Sequence, residues 1–133
     1  MTGPRYLVGT AADVRALHVM PDLPPPEGEL HAHDYRLAVV VEREQLDDRG
    51  MVCDLDVLEA ALARVVAQVR DQNLETIQPP EADAVTVEVF ARWAFDQLAD
   101  AAAGADRLEV RVYESPVAFG GYGGPVSRPV SRP

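Results

Sequence analysis

Thiol is nearly absent from this 133-residue chain. Cys53 is its one cysteine, so it has no internal disulfide and no cysteine-based zinc finger. Any metal chemistry therefore falls to histidines and carboxylates. Cations are scarce too: 12 lysines and arginines stand against 22 aspartates and glutamates, a formal charge of −10, with no basic cluster. Contacts to a nucleic-acid backbone need lysine and arginine gathered on one face, so the composition argues against a nucleic-acid partner. Long apolar runs are missing as well. The longest, such as Leu37 to Val41, fall far short of a bilayer span, and Met1-Thr2-Gly3-Pro4-Arg5 lacks the apolar segment of a signal peptide. The expectation is a cytoplasmic protein with no membrane partner. An apolar share of 47% over this length supplies one core and is too little for two.

Histidine is scarce but concentrated. His18, His31 and His33 are all of it, and they fall within sixteen residues. In a strand, residues two apart project from one face, so His31 and His33 present two imidazoles side by side. His18 can supply a third. Three neutral imidazole nitrogens suit zinc (Zn2+) and leave one coordination position for water or substrate, which is the catalytic rather than the structural arrangement. A His-x-His pair alone is more often an ordinary surface or strand-end feature, and the third histidine nearby is what brings the metal reading level with it.

From Tyr6 to His18, Val8, Ala12, Val14 and Ala16 share a face that ends on His18, as in a long strand. Residues 21–30 are rich in proline and form a loop that returns the chain to His31. Tyr35, Leu37, Val39 and Val41 continue the histidine face of a second strand, and antiparallel pairing of the two would bring His18 close to His31 and His33. Asp54 is a good N-cap for a helix whose apolar residues Leu55, Leu58, Leu62, Val65, Val66 and Val69 recur at helical spacing. Thr86 caps a second helix that buries Phe90, Trp93, Ala94 and Leu98 and ends by Gly104. Residues 70–85 between them read as loop. In the strand Arg107 to Glu114, Leu108, Val110 and Val112 alternate with polar residues, which puts Glu114 on the apolar phase, where a carboxylate is costly unless hydrogen-bonded. Fraying at the strand end is the plain alternative. Residues 1–122 form a single domain on this reading, and 123–133 a flexible Gly/Pro-rich tail.

Four short blocks stand out in order along the chain: Ala16-Leu17-His18 with His31-Ala32-His33, Gly50-Met51-Val52-Cys53-Asp54-Leu55, Val85-Thr86-Val87-Glu88, and Val112-Tyr113-Glu114-Ser115. Together with the order of elements they resemble the 6-pyruvoyltetrahydropterin synthase and 6-carboxytetrahydropterin synthase family. The resemblance covers about residues 5–122. It implies an α+β tunnelling fold, a four-stranded antiparallel sheet with two helices packed on one side, assembled as a homo-oligomer (trimer or hexamer) with sites between subunits. It further implies zinc on His18, His31 and His33, a small-molecule pterin held at its amino-pyrimidine edge by Glu114, and Thr86 and Glu88 lining the same pocket.

Two departures bear on activity. The family's cysteine four residues before the first histidine of the pair is Glu27 here, and its Asp-His pair after the first helix is replaced in Val69-Arg70-Asp71-Gln72-Asn73-Leu74, where Asp71 can stand for either member. No histidine remains for that role. A glutamate at position 27 resembles the branch of the family that cleaves the side chain of 7,8-dihydroneopterin triphosphate to 6-hydroxymethyldihydropterin. In such a step a metal polarises side-chain hydroxyls while a nearby carboxylate removes a proton. Glu29 is an alternative base, and either can be a solvated loop charge. The expectation is a zinc-dependent lyase with Glu27 and Asp71 catalytic. The alternatives are a non-catalytic pterin- or zinc-binding relative that has lost the relay, and a structural oligomer without ligand. Binding a triphosphate would call on Arg15, Arg36, Arg70 and Arg92, which are scattered along the sequence.

Overall fold

The computed structural model describes residues 3–126. Alternating burial is what makes its long strands. In β1 (Tyr6–His18), Val14, Ala16 and His18 are buried, and in β2 (His31–Arg43) so are Tyr35, Leu37, Val39 and Val41. The two pair antiparallel with His18 directly opposite His31 and Ala16 opposite His33. β3 (Arg107–Tyr113) adds Leu108, Val110 and Val112 to the same face and pairs with β2, and β4 (Phe119–Pro125) pairs with β3. The sheet order is β1-β2-β3-β4, antiparallel throughout.

Both helices lie between β2 and β3 in sequence and cover the apolar face. α1 (Leu55–Val69) starts where the Asp54 carboxylate accepts from the Asp56 and Val57 N–H groups at 3.0 and 3.3 Å. The preceding turn is set by Asp47, whose carboxylate accepts from Arg49 and Met51 N–H at 2.9 Å each, with Gly50 at φ +77 between them. Those bonds hold the Asp47 carboxyl below its usual range, the Met51 N–H contributing most. α2 (Val87–Leu98) is capped by Thr86, whose hydroxyl accepts from Val89 N–H at 3.1 Å. Leu58, Leu62, Val65 and Val69 of α1 and Phe90, Ala94 and Leu98 of α2 meet the sheet's buried row, and each large side chain among them contributes about 1.5–3 kcal/mol of burial.

The chain departs from the expected outline in three places. A single 3-10 turn, Leu74–Ile77, capped by Asn73, interrupts the expected loop 70–85. The helical stretch reaching towards Gly104 is α2 followed by a 3-10 turn, Ala99–Ala102. And β4 runs three residues past the boundary at 122: Gly123, Gly124 and Pro125 pair with β3 and Val126 is buried, so the tail cannot begin at 123. The rest of that expected tail, residues 127–133, lies outside the described residues. No helix among the described residues is long and apolar enough to cross a membrane.

Candidate functional site

Where β1 ends and β2 begins, the sheet opens into a cavity of about 480 Å³. Its floor carries the three histidines. Because His18 and His31 are paired across the strands and His33 stands two residues along the same face, one ligand nitrogen from each ring lies within 4.8 Å of the others. The Nε2 atoms of His31 and His33 are 2.9 Å apart, while His31 Nδ1 lies 2.7 Å from the Glu29 carbonyl oxygen. His18 is only 8% exposed, and among the described residues neither of its ring nitrogens has a partner in good hydrogen-bond geometry. Burial, and secondarily the charge of His31, push its pKa below 6.5, with the Val85 backbone offsetting part of the effect.

These are the marks of a metal-binding set. A buried unpaired polar group costs about 1–3 kcal/mol, a penalty that a bound cation removes. Zinc–nitrogen bonds of about 2.0–2.1 Å in a tetrahedron place neighbouring nitrogens about 3.3 Å apart, within the span seen here. The donor set is all imidazole, neutral and borderline-soft, and fits zinc.

Carboxylates surround the triad. Glu27 borders the cavity from the proline-rich loop, which is pinned across the mouth by the Met20 N–H donating to the Glu27 carbonyl at 2.7 Å. Glu29 is outside the lining, and its part in the site is the carbonyl that orients His31. Thr86 and Glu88 line the wall from the start of α2, the positive end of that helix. Thr86 is already occupied as the cap. Glu114 lines the opposite wall one residue past β3. It keeps the strand's apolar phase but is exposed, because the pairing of its N–H with the Ala118 carbonyl belongs to the turn into β4. The strand end therefore explains its place in the pattern, and its side chain is free to meet a ligand.

Asp71 does not join this cluster. It sits at a left-handed φ of 57° in the turn after α1, which is docked on β1 by the Asp71 N–H donating to the Arg15 carbonyl at 2.8 Å. It lines a neighbouring cleft with Arg15, Arg36 and Arg70. Arg92 is elsewhere, over the Tyr122 ring at 5.1 Å. Cys53 is half-buried against the core and outside the cavity lining. Tyr35 belongs to both cavities, which sequence reasoning missed. It reads as a core residue on the histidine face and is 2% exposed, packed edge-on against His33 and Phe90. Burial, then the Glu114 charge, raise its hydroxyl pKa well above 10, so it stays protonated. Its dual placement follows from the cavity mouth, which no strand period encodes.

Residues 9–125 match the sequence model of a family described as 6-pyruvoyl tetrahydropterin synthase. No curated protein sequence matches the chain. Among solved structures, the 6-pyruvoyl tetrahydropterin synthase of Plasmodium falciparum aligns with a TM-score of 0.76 at 14% identity, over 93% of this chain and 100% of that one. That of Caenorhabditis elegans aligns at 0.69 and 21% identity, over 91% and 96%. The Plasmodium vivax enzyme, solved with a catalytic glutamate replaced by cysteine, aligns at 0.70 and 14% identity, over 92% and 98%. At these identities the likeness establishes a shared fold.

Proposed function

The chain belongs to the 6-pyruvoyl tetrahydropterin synthase family, and from that premise we propose that it is a zinc-dependent lyase acting on 7,8-dihydroneopterin triphosphate or a related dihydropterin. Its sheet and two helices are the tunnelling fold. The observation that carries the proposal is the convergence of His18, His31, His33, Glu27, Glu88 and Glu114 on one cavity. Zinc held by the three histidines supplies Lewis acidity towards the ligand's side-chain hydroxyls.

The remaining roles fall to this chain's own groups. The Glu114 carboxylate accepts two parallel N–H bonds from the amino-pyrimidine edge and fixes the ring's direction. Glu27, across the cavity on the loop that precedes the histidine pair, removes the hydroxyl proton that begins side-chain cleavage to 6-hydroxymethyldihydropterin. In the Plasmodium vivax enzyme a glutamate is designated a catalytic residue, which supports a catalytic role for a glutamate here. Thr86 and Glu88 narrow the pocket around the ring. The subunits assemble as trimers or hexamers with sites between subunits, and Asp71 stands for a member of the family's Asp-His pair in catalysis. The protein works in the cytoplasm.

A second reading, a pterin or zinc binder without turnover, is favoured by one observation. All three histidines are committed to the triad and Cys53 is outside the lining, so the cysteine-and-histidine relay has no members here. Incubation of zinc-loaded protein with dihydroneopterin triphosphate, followed by identification of the pterin product, separates the two.

A further inference from the structure

The chain has a single tryptophan, and it lies outside the lining of the histidine cavity. Trp93 is half-buried on α2 and lines a separate groove of about 290 Å³ with Val89 of the same helix and with Ile77 and Pro79 from the segment before it. Glu81 and Asp96 stand exposed in the same lining. The loop side of the groove is tied in place: Gln78 Nε2 donates to the Ala82 carbonyl at 2.8 Å, and the Ala82 N–H to the Pro79 carbonyl at 3.1 Å. An apolar, aromatic floor between carboxylates is thus formed in advance of any occupant.

Its charge is unanswered. Neither Glu81 nor Asp96 has a cation within ion-pair distance among the described residues. Arg92 also lines the groove, but its guanidinium lies over the Tyr122 ring at 5.1 Å. The groove therefore suits an extended occupant that is apolar and carries positive charge.

The chain itself contains such a segment. From Val126 it reads Val126-Ser127-Arg128-Pro129-Val130-Ser131-Arg132-Pro133, the sequence Val-Ser-Arg-Pro twice. Residues 127–133, which lie outside the described ones, bring two arginines and no acidic residue to a chain of net charge −10. Proline-rich sequences favour the polyproline II conformation, which needs no hydrogen-bonded partner and docks on aromatic-lined grooves at low entropic cost.

Reach is sufficient. β4 is held against α2 by the Phe95 and Tyr122 rings, 5.0 Å between centroids, as well as by Arg92. Val126, buried and anchored through its N–H to the Asp106 carbonyl at 3.1 Å, stands four residues beyond Tyr122, about 14 Å along an extended chain. Seven residues of polyproline II span about 22 Å, enough to return along α2 from Val126 to Trp93.

We propose that residues 127–133 fold back on their own chain and dock on Trp93, with Arg128 and Arg132 facing Glu81 and Asp96. The contact uses none of the residues lining the histidine cavity, so it stands or falls independently of the pterin reading.

Trp93 fluorescence in the full chain reads the contact directly, because no other tryptophan emits. Arg128→Glu with Arg132→Glu should raise the acrylamide quenching constant of Trp93 at least about twofold, since the charges then repel. Adding Glu81→Arg with Asp96→Arg should restore the wild-type value by reversing both partners. Equal quenching in wild type and tail variant overturns the inference, and so does a failure of the fourfold variant to restore protection. A second measurement leaves the groove unsubstituted: a nitroxide on Ser131→Cys, in a Cys53→Ser background, should quench Trp93 emission at any protein concentration. Full emission from that labelled protein overturns the docking. Quenching that grows with concentration assigns the segment to a second copy and overturns the fold-back.

Discussion

The Nδ1 of His31 donates to the carbonyl oxygen of Glu29 over 2.7 Å, and that bond decides which nitrogen remains for a metal. A carbonyl only accepts, so the proton resides on Nδ1 and Nε2 keeps its lone pair, directed at His33 Nε2. Backbone orientation of a ligand histidine in this way raises its basicity and fixes its ring. Purified protein should therefore carry close to one zinc per chain, and His31→Ala with His33→Ala should abolish it. Elemental analysis checks this, and full occupancy in the double variant would rule out the site.

The burial of His18 gives the metal-free protein a pH dependence. Its folded pKa lies below 6.5, so above that value both folded and unfolded states are neutral and the histidine contributes no slope. As pH falls through 6.5 the unfolded state takes up the proton first, and stability drops. Denaturant unfolding in chelator should show the midpoint falling between pH 7.5 and 5.5, with a shallower fall in His18→Asn. An identical slope in that variant would contradict the burial argument.

Much of this architecture is legible in the sequence because side chains report it. Val14, Ala16 and His18 on β1, Tyr35 to Val41 on β2 and Leu108 to Val112 on β3 alternate as buried faces must, and Asp54 and Thr86 cap the helices they were expected to cap. The histidine triad is legible for the same reason, strand period plus antiparallel register. β4 is not. Gly120, Gly121, Gly123 and Gly124 have no side chains to alternate, and the strand exists through its backbone pairing with β3. Nor could Asp71 be placed, since its position depends on how the turn after α1 docks on β1. Sequence period likewise put Glu114 on the buried phase without showing that β3 stops one residue earlier.

Glycine in β4 gives a paired test of that strand. A Cβ at Gly121 would stand 2.7 Å from the Val110 carbonyl oxygen, a backbone atom that cannot yield without opening the β3–β4 ladder, whereas one at Gly124 meets nothing within 4 Å. Gly121→Ala should cost about 1–3 kcal/mol of stability and Gly124→Ala should be near neutral. Thermal unfolding of the two variants provides the comparison, and equal effects would argue against the close β3–β4 approach.

The sheet's two edges bear on the proposed assembly. β1 and β4 are the outer strands of the sheet, and β1 is covered by the turn after α1 only near Arg15 and Leu17. Exposed edges of this length are normally paired or protected. Sedimentation equilibrium should give a trimer or larger, and a stable monomer at micromolar concentration would contradict sites between subunits.

Turnover of a dihydropterin triphosphate by zinc-loaded protein, compared with Glu27→Gln and Glu114→Ala, tests the central claim most directly. The account requires a side-chain-cleaved pterin product from the wild type. Glu27→Gln should bind the ligand normally and turn over about a hundredfold slower, the scale of losing a general base. Glu114→Ala should weaken binding by about 2 kcal/mol. A wild-type protein that binds the pterin and forms no product, under conditions where zinc is fully loaded, would contradict the lyase and leave a binder.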